Sequence, residues 1–169
     1  SHGPYTRYLD VYGIKLLVLP EVTIEFPGKV AQIFESILTS STNTNSGLRA
    51  SFLNEIQTNQ IGQRVGYSGP NYYESIGSPE KWHQYSGPIN LVDFIWETEG
   101  SSSEIIAEIL EHQLHTLHNL VFSSLYPVQW NYSDPESKIN LAMEEAVSGG
   151  VYNTDGMYDG LENPELKTT

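Results

Sequence analysis

Ile89-Asn90-Leu91-Val92-Asp93-Phe94-Ile95-Trp96, the polar turn Glu97–Ser103 and then residues 104–124, EIIAEILEHQLHTLHNLVFSS, read in order as a strand, a turn and a helix. The first eight residues are apolar and rich in β-formers, which predicts a buried strand. Ser101 and Glu104 stand in the Ser-x-x-Glu spacing of a capping box, so a helix is expected to start there. It runs to about Ser124, because Pro127 bars continuation. Leu9–Leu19 (LDVYGIKLLVL) reads as a second buried strand closed by Pro20. From Gly28, the residues Val30, Ile33, Phe34, Ile37 and Leu38 make one apolar helical stripe. A short helix is expected from Ser46 as N-cap, with Leu48, Phe52 and Ile56 on one side. A last helix is expected from Asp134 as N-cap with Pro135 behind it, striped by Ile139, Met143, Ala146 and Val147 and ended by Gly149-Gly150.

Two strands among four helices, without regular βαβ alternation, predict the α+β class: helices packed on a small sheet. The 169 residues suit a single domain, 1–169. Residues 62–88 stand apart as a long Gly/Ser/Pro-rich loop, with a short edge strand near Arg64–Tyr67. Its Tyr67, Tyr72, Tyr73, Trp82 and Tyr85 either pin the loop to the core or offer rings to a peptide or glycan.

Charge narrows the partners. Eight Lys and Arg face 21 Asp and Glu, for a formal net charge of −13. Residues 89–169 hold fourteen of those acids and only Lys138 and Lys167 as bases. No clustered cation is present to neutralise phosphates, so no nucleic-acid partner is expected. No apolar run reaches membrane-spanning length, so no membrane span is expected. With no cysteine, there is neither a disulfide framework nor a thiolate ligand. The opening Ser1-His2-Gly3-Pro4 reads as the remnant of a tag or of processing. Asn153-x-Asp155-Gly156-x-x-Asp159 echoes a calcium loop without its full ligand series.

The chemistry concentrates on the long helix. At about 100° per residue, Glu108, Glu111, His112, His115 and His118 fall within an arc of roughly 120°. Ile105, Ile106, Ile109, Leu110, Leu114, Leu117, Leu120 and Val121 occupy the other side and are expected to face the core. Three of the five histidines lie in this one helix. Residues three and four apart share a face, so two of them can hold one ion. Imidazole with carboxylate and no thiolate suits a divalent metal, zinc foremost. Glu111, His112, His115 and His118 are the expected ligands, with a further one from another segment. Glu108 and Glu111 are the candidate catalytic bases. The zincin order His-Glu-x-x-His is absent, so no base is assigned by motif. The same face without an ion is a solvated stripe of hydrogen-bonded Glu/His pairs.

A resemblance adds to this. Asp10-Val11-Tyr12-Gly13-Ile14, the block Ile109-Leu110-Glu111-His112-Gln113-Leu114-His115-Thr116, Tyr126-Pro127 and Leu141-Ala142-Met143-x-x-Ala146-x-x-Gly149-Gly150 resemble an uncharacterised family of secreted or envelope proteins, many from marine bacteria. Its Glu-x-x-x-His helix looks zincin-like. The resemblance implies a secreted, extracellular or periplasmic metal-binding protein similar to a peptidase-like, metal-dependent hydrolase. It lends Glu111 and His115 the role of first ligands, His112 and His118 following. Members continue past the segment resembling Asn163-Pro164-Glu165-Leu166, so a natural chain longer than Thr169 is expected. Two other functions fit the residues: a non-catalytic extracellular binding subunit that self-assembles as a homo-oligomer, and a histidine pH switch.

Overall fold

Leu9–Leu19, expected as one strand, folds back on itself as a hairpin. Strand β1 (Arg7–Val11) pairs antiparallel with β2 (Ile14–Val18), from Arg7 opposite Val18 to Val11 opposite Ile14. Tyr12 and Gly13 make the turn with φ of 52° and 95°. Two successive positive-φ residues are what a tight hairpin needs to match strand twist. Asp10 secures the turn by accepting from the Gly13 N–H at 3.0 Å and pairing with Lys15.

A computed structural model describes residues 4–41, 44–75, 87–101 and 104–151 of the chain. Trp82, Tyr85 and the calcium-loop echo at 153–159 lie outside these residues. The fold is α+β, with one four-stranded mixed sheet in the order β1-β2-β3-β4. After β2 come α1 (Phe26–Leu38) and α2 (Ser46–Thr58), then β3 (Ile61–Gly66), parallel to β2. Helix α3 (Pro70–Ser75) precedes β4 (Asn90–Trp96), parallel to β3. Helix α4 (Ile105–Leu117) runs through a π turn (His118–Phe122) into α5 (Ser123–Leu125). It is followed by α6 (Pro127–Trp130) and α7 (Lys138–Ser148). No helix among the described residues is long and apolar enough to cross a membrane.

Local signals explain the boundaries. Helix α1 starts two residues earlier than Gly28 because Pro27 sits in its first turn, where its missing N–H costs nothing. Helix α2 is capped by Asn45, whose side chain accepts from the Leu48 N–H at 3.0 Å, and not by Ser46. Likewise α7 is capped by Ser137, while Asp134 closes the preceding turn by accepting from the Glu136 N–H. At the start of α4, the Ser101 N–H donates to the Glu104 carboxylate at 2.9 Å, one half of the expected capping box.

Strand β3 is interior, not an edge: it runs between β2 and β4, and every residue but Arg64 is buried. Its glycines make that position possible. A Cβ on Gly66 would lie 2.3 Å from the Trp96 ring, and one on Gly62 would lie 2.5 Å from Ile89. Large β4 side chains therefore lie across β3 where it has none of its own. The tyrosines just beyond β3 belong to the same aromatic layer. Tyr73 is buried, contacts Trp96, and its hydroxyl accepts from the Tyr67 N–H, while Tyr67 and Tyr72 are half-buried. Tyr73 is thus a core pin, not a ring offered to a glycan.

Candidate metal centre

Asp93 is an acid in the middle of an apolar strand, and the backbone around it is irregular. The β3–β4 ladder runs from Gly62 opposite Leu91 to Arg64 opposite Phe94, so Gln63 alone faces both Val92 and Asp93. This bulge frees two carbonyls from the ladder and re-aims a side chain. Both carbonyls find other donors. Arg64 Nη2 donates to Val92 O at 2.5 Å, while Gln63 Nε2 and Arg64 Nε donate to Asp93 O at 3.0 and 3.3 Å. The fully buried Gln63 also accepts from the Thr116 hydroxyl of α4 at 2.6 Å. Gln113, equally buried, donates to Val30 O of α1 at 2.8 Å.

These bonds roll α4 away from the orientation its apolar residues predict. Ile106 is 64% exposed, whereas Gln113, Thr116 and His115 are buried. The polar arc turns onto the sheet because the sheet offers it polar partners at the bulge.

Asp93 is consequently brought under two imidazoles. Its Oδ2 lies 2.7 Å from His112 Nδ1 and 2.9 Å from His115 Nδ1, and its Oδ1 accepts from the Phe94 N–H at 2.7 Å. The two rings stand at 88° to each other. His112 Nε2 faces Glu99 Oε2 at 3.3 Å. His115 Nε2 is buried without a hydrogen-bond partner among the described residues, and Glu111 Oε1 lies 3.9 Å from it. One donor atom each from Asp93, His112 and His115 lie within 4.8 Å of one another, the spacing of a site able to hold a metal ion. Glu99, Glu108 and His112 meet the same condition on the other side of the His112 ring.

Burial opposes the charged form of both central groups, and their pairing overrides it. For Asp93, bonds from His112, His115 and the Phe94 N–H hold the carboxyl well below the usual carboxylate range. For His112, the hydrogen bonds and charges of Asp93 and Glu99 push the imidazolium up to about 10.

The residues expected from sequence are thus divided. His112 and His115 converge on Asp93, Glu108 joins Glu99 beside His112, and Glu111 lies next to His115 but in neither ligand group. His118 is turned elsewhere. It is buried, its Nε2 lies 2.6 Å from Trp130 O, and its ring meets Trp130 and Tyr132 edge-on. Asp93 and Glu99 were not foreseen. The signal for Asp93 was present, since a charge inside a buried strand must be paired.

The Gln63 link between bulge and helix can be probed directly. Gln63→Leu keeps the volume but leaves the Thr116 hydroxyl unpaired and the Asp93 carbonyl with only its long Arg64 contact. Stability by urea unfolding should fall by roughly 2–4 kcal/mol, and an unchanged midpoint would show that Gln63 does not tie the bulge to α4. No family model matches the chain, and no match was found among curated proteins or among solved structures.

Proposed function

We propose that this chain binds a divalent first-row cation, zinc foremost, through Asp93, His112 and His115. The observation that carries the reading is the convergence of two imidazoles from α4 on one carboxylate from β4, at a bulge braced by buried hydrogen bonds. Two imidazoles and a carboxylate form a donor set that such ions favour. Three protein ligands also leave a coordination position for water, as catalytic sites do and structural sites do not. The surrounding acids Glu99, Glu108 and Glu111 favour a cation further.

Hydrolysis is the activity this arrangement suits. An ion there would supply Lewis acidity and lower the pKa of a water toward about 7. Of the two candidate bases, Glu111, 3.9 Å from His115 Nε2, would take up the proton, whereas Glu108 lies beside Glu99 on the other side of the His112 ring. The resemblance to secreted, zincin-like proteins points the same way.

Metal analysis of protein purified without a metal-affinity column tests the reading. About one equivalent of zinc or cobalt should bind, and His115→Ala should weaken that binding by on the order of a hundredfold. Failure to take up zinc, or equal affinity in the His115→Ala protein, would refute it.

A further inference from the structure

The helix that carries His112 and His115 widens into the π turn at its far end, and that turn delivers Phe122 to a separate cavity. The cavity is an open groove of about 450 Å³ between the end of α1, α2 and the π turn. Ile37, Leu48, Phe52, Leu53 and Phe122 line it, and Arg49 is the one charged residue among the described lining residues. The Phe52 and Phe122 rings lie 5.1 Å apart within it. Leu48 at its mouth is 56% exposed, more than a core leucine would be.

Arg49 is held in place by its own contacts. Its Nε donates to Leu38 O at 2.9 Å, and the guanidinium carbon lies 5.4 Å from the Tyr12 ring centroid. Its Nη groups have no hydrogen-bond partner among the described residues. A fixed guanidinium with donors to spare, beside an apolar hollow, is complementary to an anion with an apolar body.

We propose that this cavity is a binding site for a small amphipathic carboxylate, its aliphatic or aromatic body between α2 and the π turn and its carboxylate on Arg49. The volume lies in the range of small-ligand pockets, which are mainly apolar with a few orienting polar groups. Charge selects the head group: in a chain of net charge −13, a cation at an apolar mouth is a local exception. Charge also argues against a second copy of the chain as occupant. A two-fold contact would bring two acidic molecules and two Arg49 side chains together. The site is independent of the metal reading.

The test uses the full chain and three ten-carbon probes below their micelle concentrations: decanoate, decan-1-ol and decyltrimethylammonium. Decanoate should saturate one site, shift the NMR signals of Leu48, Phe52 and Phe122, and bind about tenfold tighter than the alcohol. Arg49→Gln should erase that preference and leave alcohol binding unchanged. Equal or tighter binding of the ammonium probe, a preference that survives Arg49→Gln, or shifts confined to other residues would overturn the proposal. So would concentration-dependent dimerisation that Leu48→Gln abolishes, because the cavity would then be an interface.

Discussion

Once corrected for the proton that His112 must release, zinc binding by an Asp93→Asn protein should be at least about a hundredfold weaker than in the parent chain, and its His112 imidazolium should titrate far below the parent's value of about 10. The amide keeps the size of the carboxylate but carries no charge, and its single oxygen cannot both face the two imidazole Nδ1 atoms at 2.7 and 2.9 Å and accept from the Phe94 N–H at 2.7 Å. A half-buried imidazolium then loses its main counter-charge and retains only Glu99, which is 39% exposed. Removing one partner of a buried pair is costly, and here the histidine limits the cost by giving up its proton. Near pH 6 the metal-free protein should lose roughly 2–4 kcal/mol. Zinc titration and histidine NMR titration measure both effects on one sample. They also separate two roles for Asp93. As a metal ligand it changes zinc affinity and the His112 titration together. As a structural strap alone it changes the titration and stability, and zinc affinity only through the proton His112 no longer holds, so a proton-corrected affinity within about threefold of the parent would refute the ligand role.

The sequence shows such a site only in part, for a physical reason. Helical periodicity places His112 and His115 on one face, and the spacing suffices to find them. It cannot show which way that face turns. Apolar content assigns Ile106 and Leu110 to the core, but the buried arc contains Gln113 and Thr116, whose partners are Val30 O and Gln63 in other segments. A polar residue is an interior residue when its partner is interior too, and that partner is invisible along a single helix. Strand β3 was misplaced for a related reason. Its interior position depends on Gly62 and Gly66 lying beneath β4 side chains, and a glycine in isolation reads as a loop. In the β1–β2 hairpin, a tyrosine occupies the first turn position where Asn or Asp is the usual signal, so two short strands read as one. The strand β4 and the long helix after it were legible because their signals are local: an apolar run, a cap and a proline.

Zinc affinity should rise steeply with pH, whereas the stability of the metal-free protein should change in the opposite sense above neutrality. The imidazolium of His112 is raised from 6.5 to about 10 in the folded chain. A raised folded value means the native state holds a proton that the unfolded state releases between those limits. Its contribution is complete below about pH 6.5 and is lost as pH rises through about 10. Asp93 behaves in the opposite way, being depressed in the folded chain. Its contribution is present above about pH 4 and is lost as pH falls below that. The two shifts describe one interaction and count once, so the metal-free protein should have a stability plateau between about pH 4 and 6.5 from this pair. A metal ion needs the imidazole deprotonated and must displace that proton. Each pH unit below about 10 therefore costs about 1.4 kcal/mol, or tenfold in affinity, while His112 remains protonated in the free chain. Zinc titrations at pH 6, 7 and 8 should consequently give dissociation constants falling by about tenfold per unit. Dissociation constants that differ by less than about threefold across the whole range would show that His112 is not a ligand, and would leave its bond to Asp93 as a strap between α4 and the sheet.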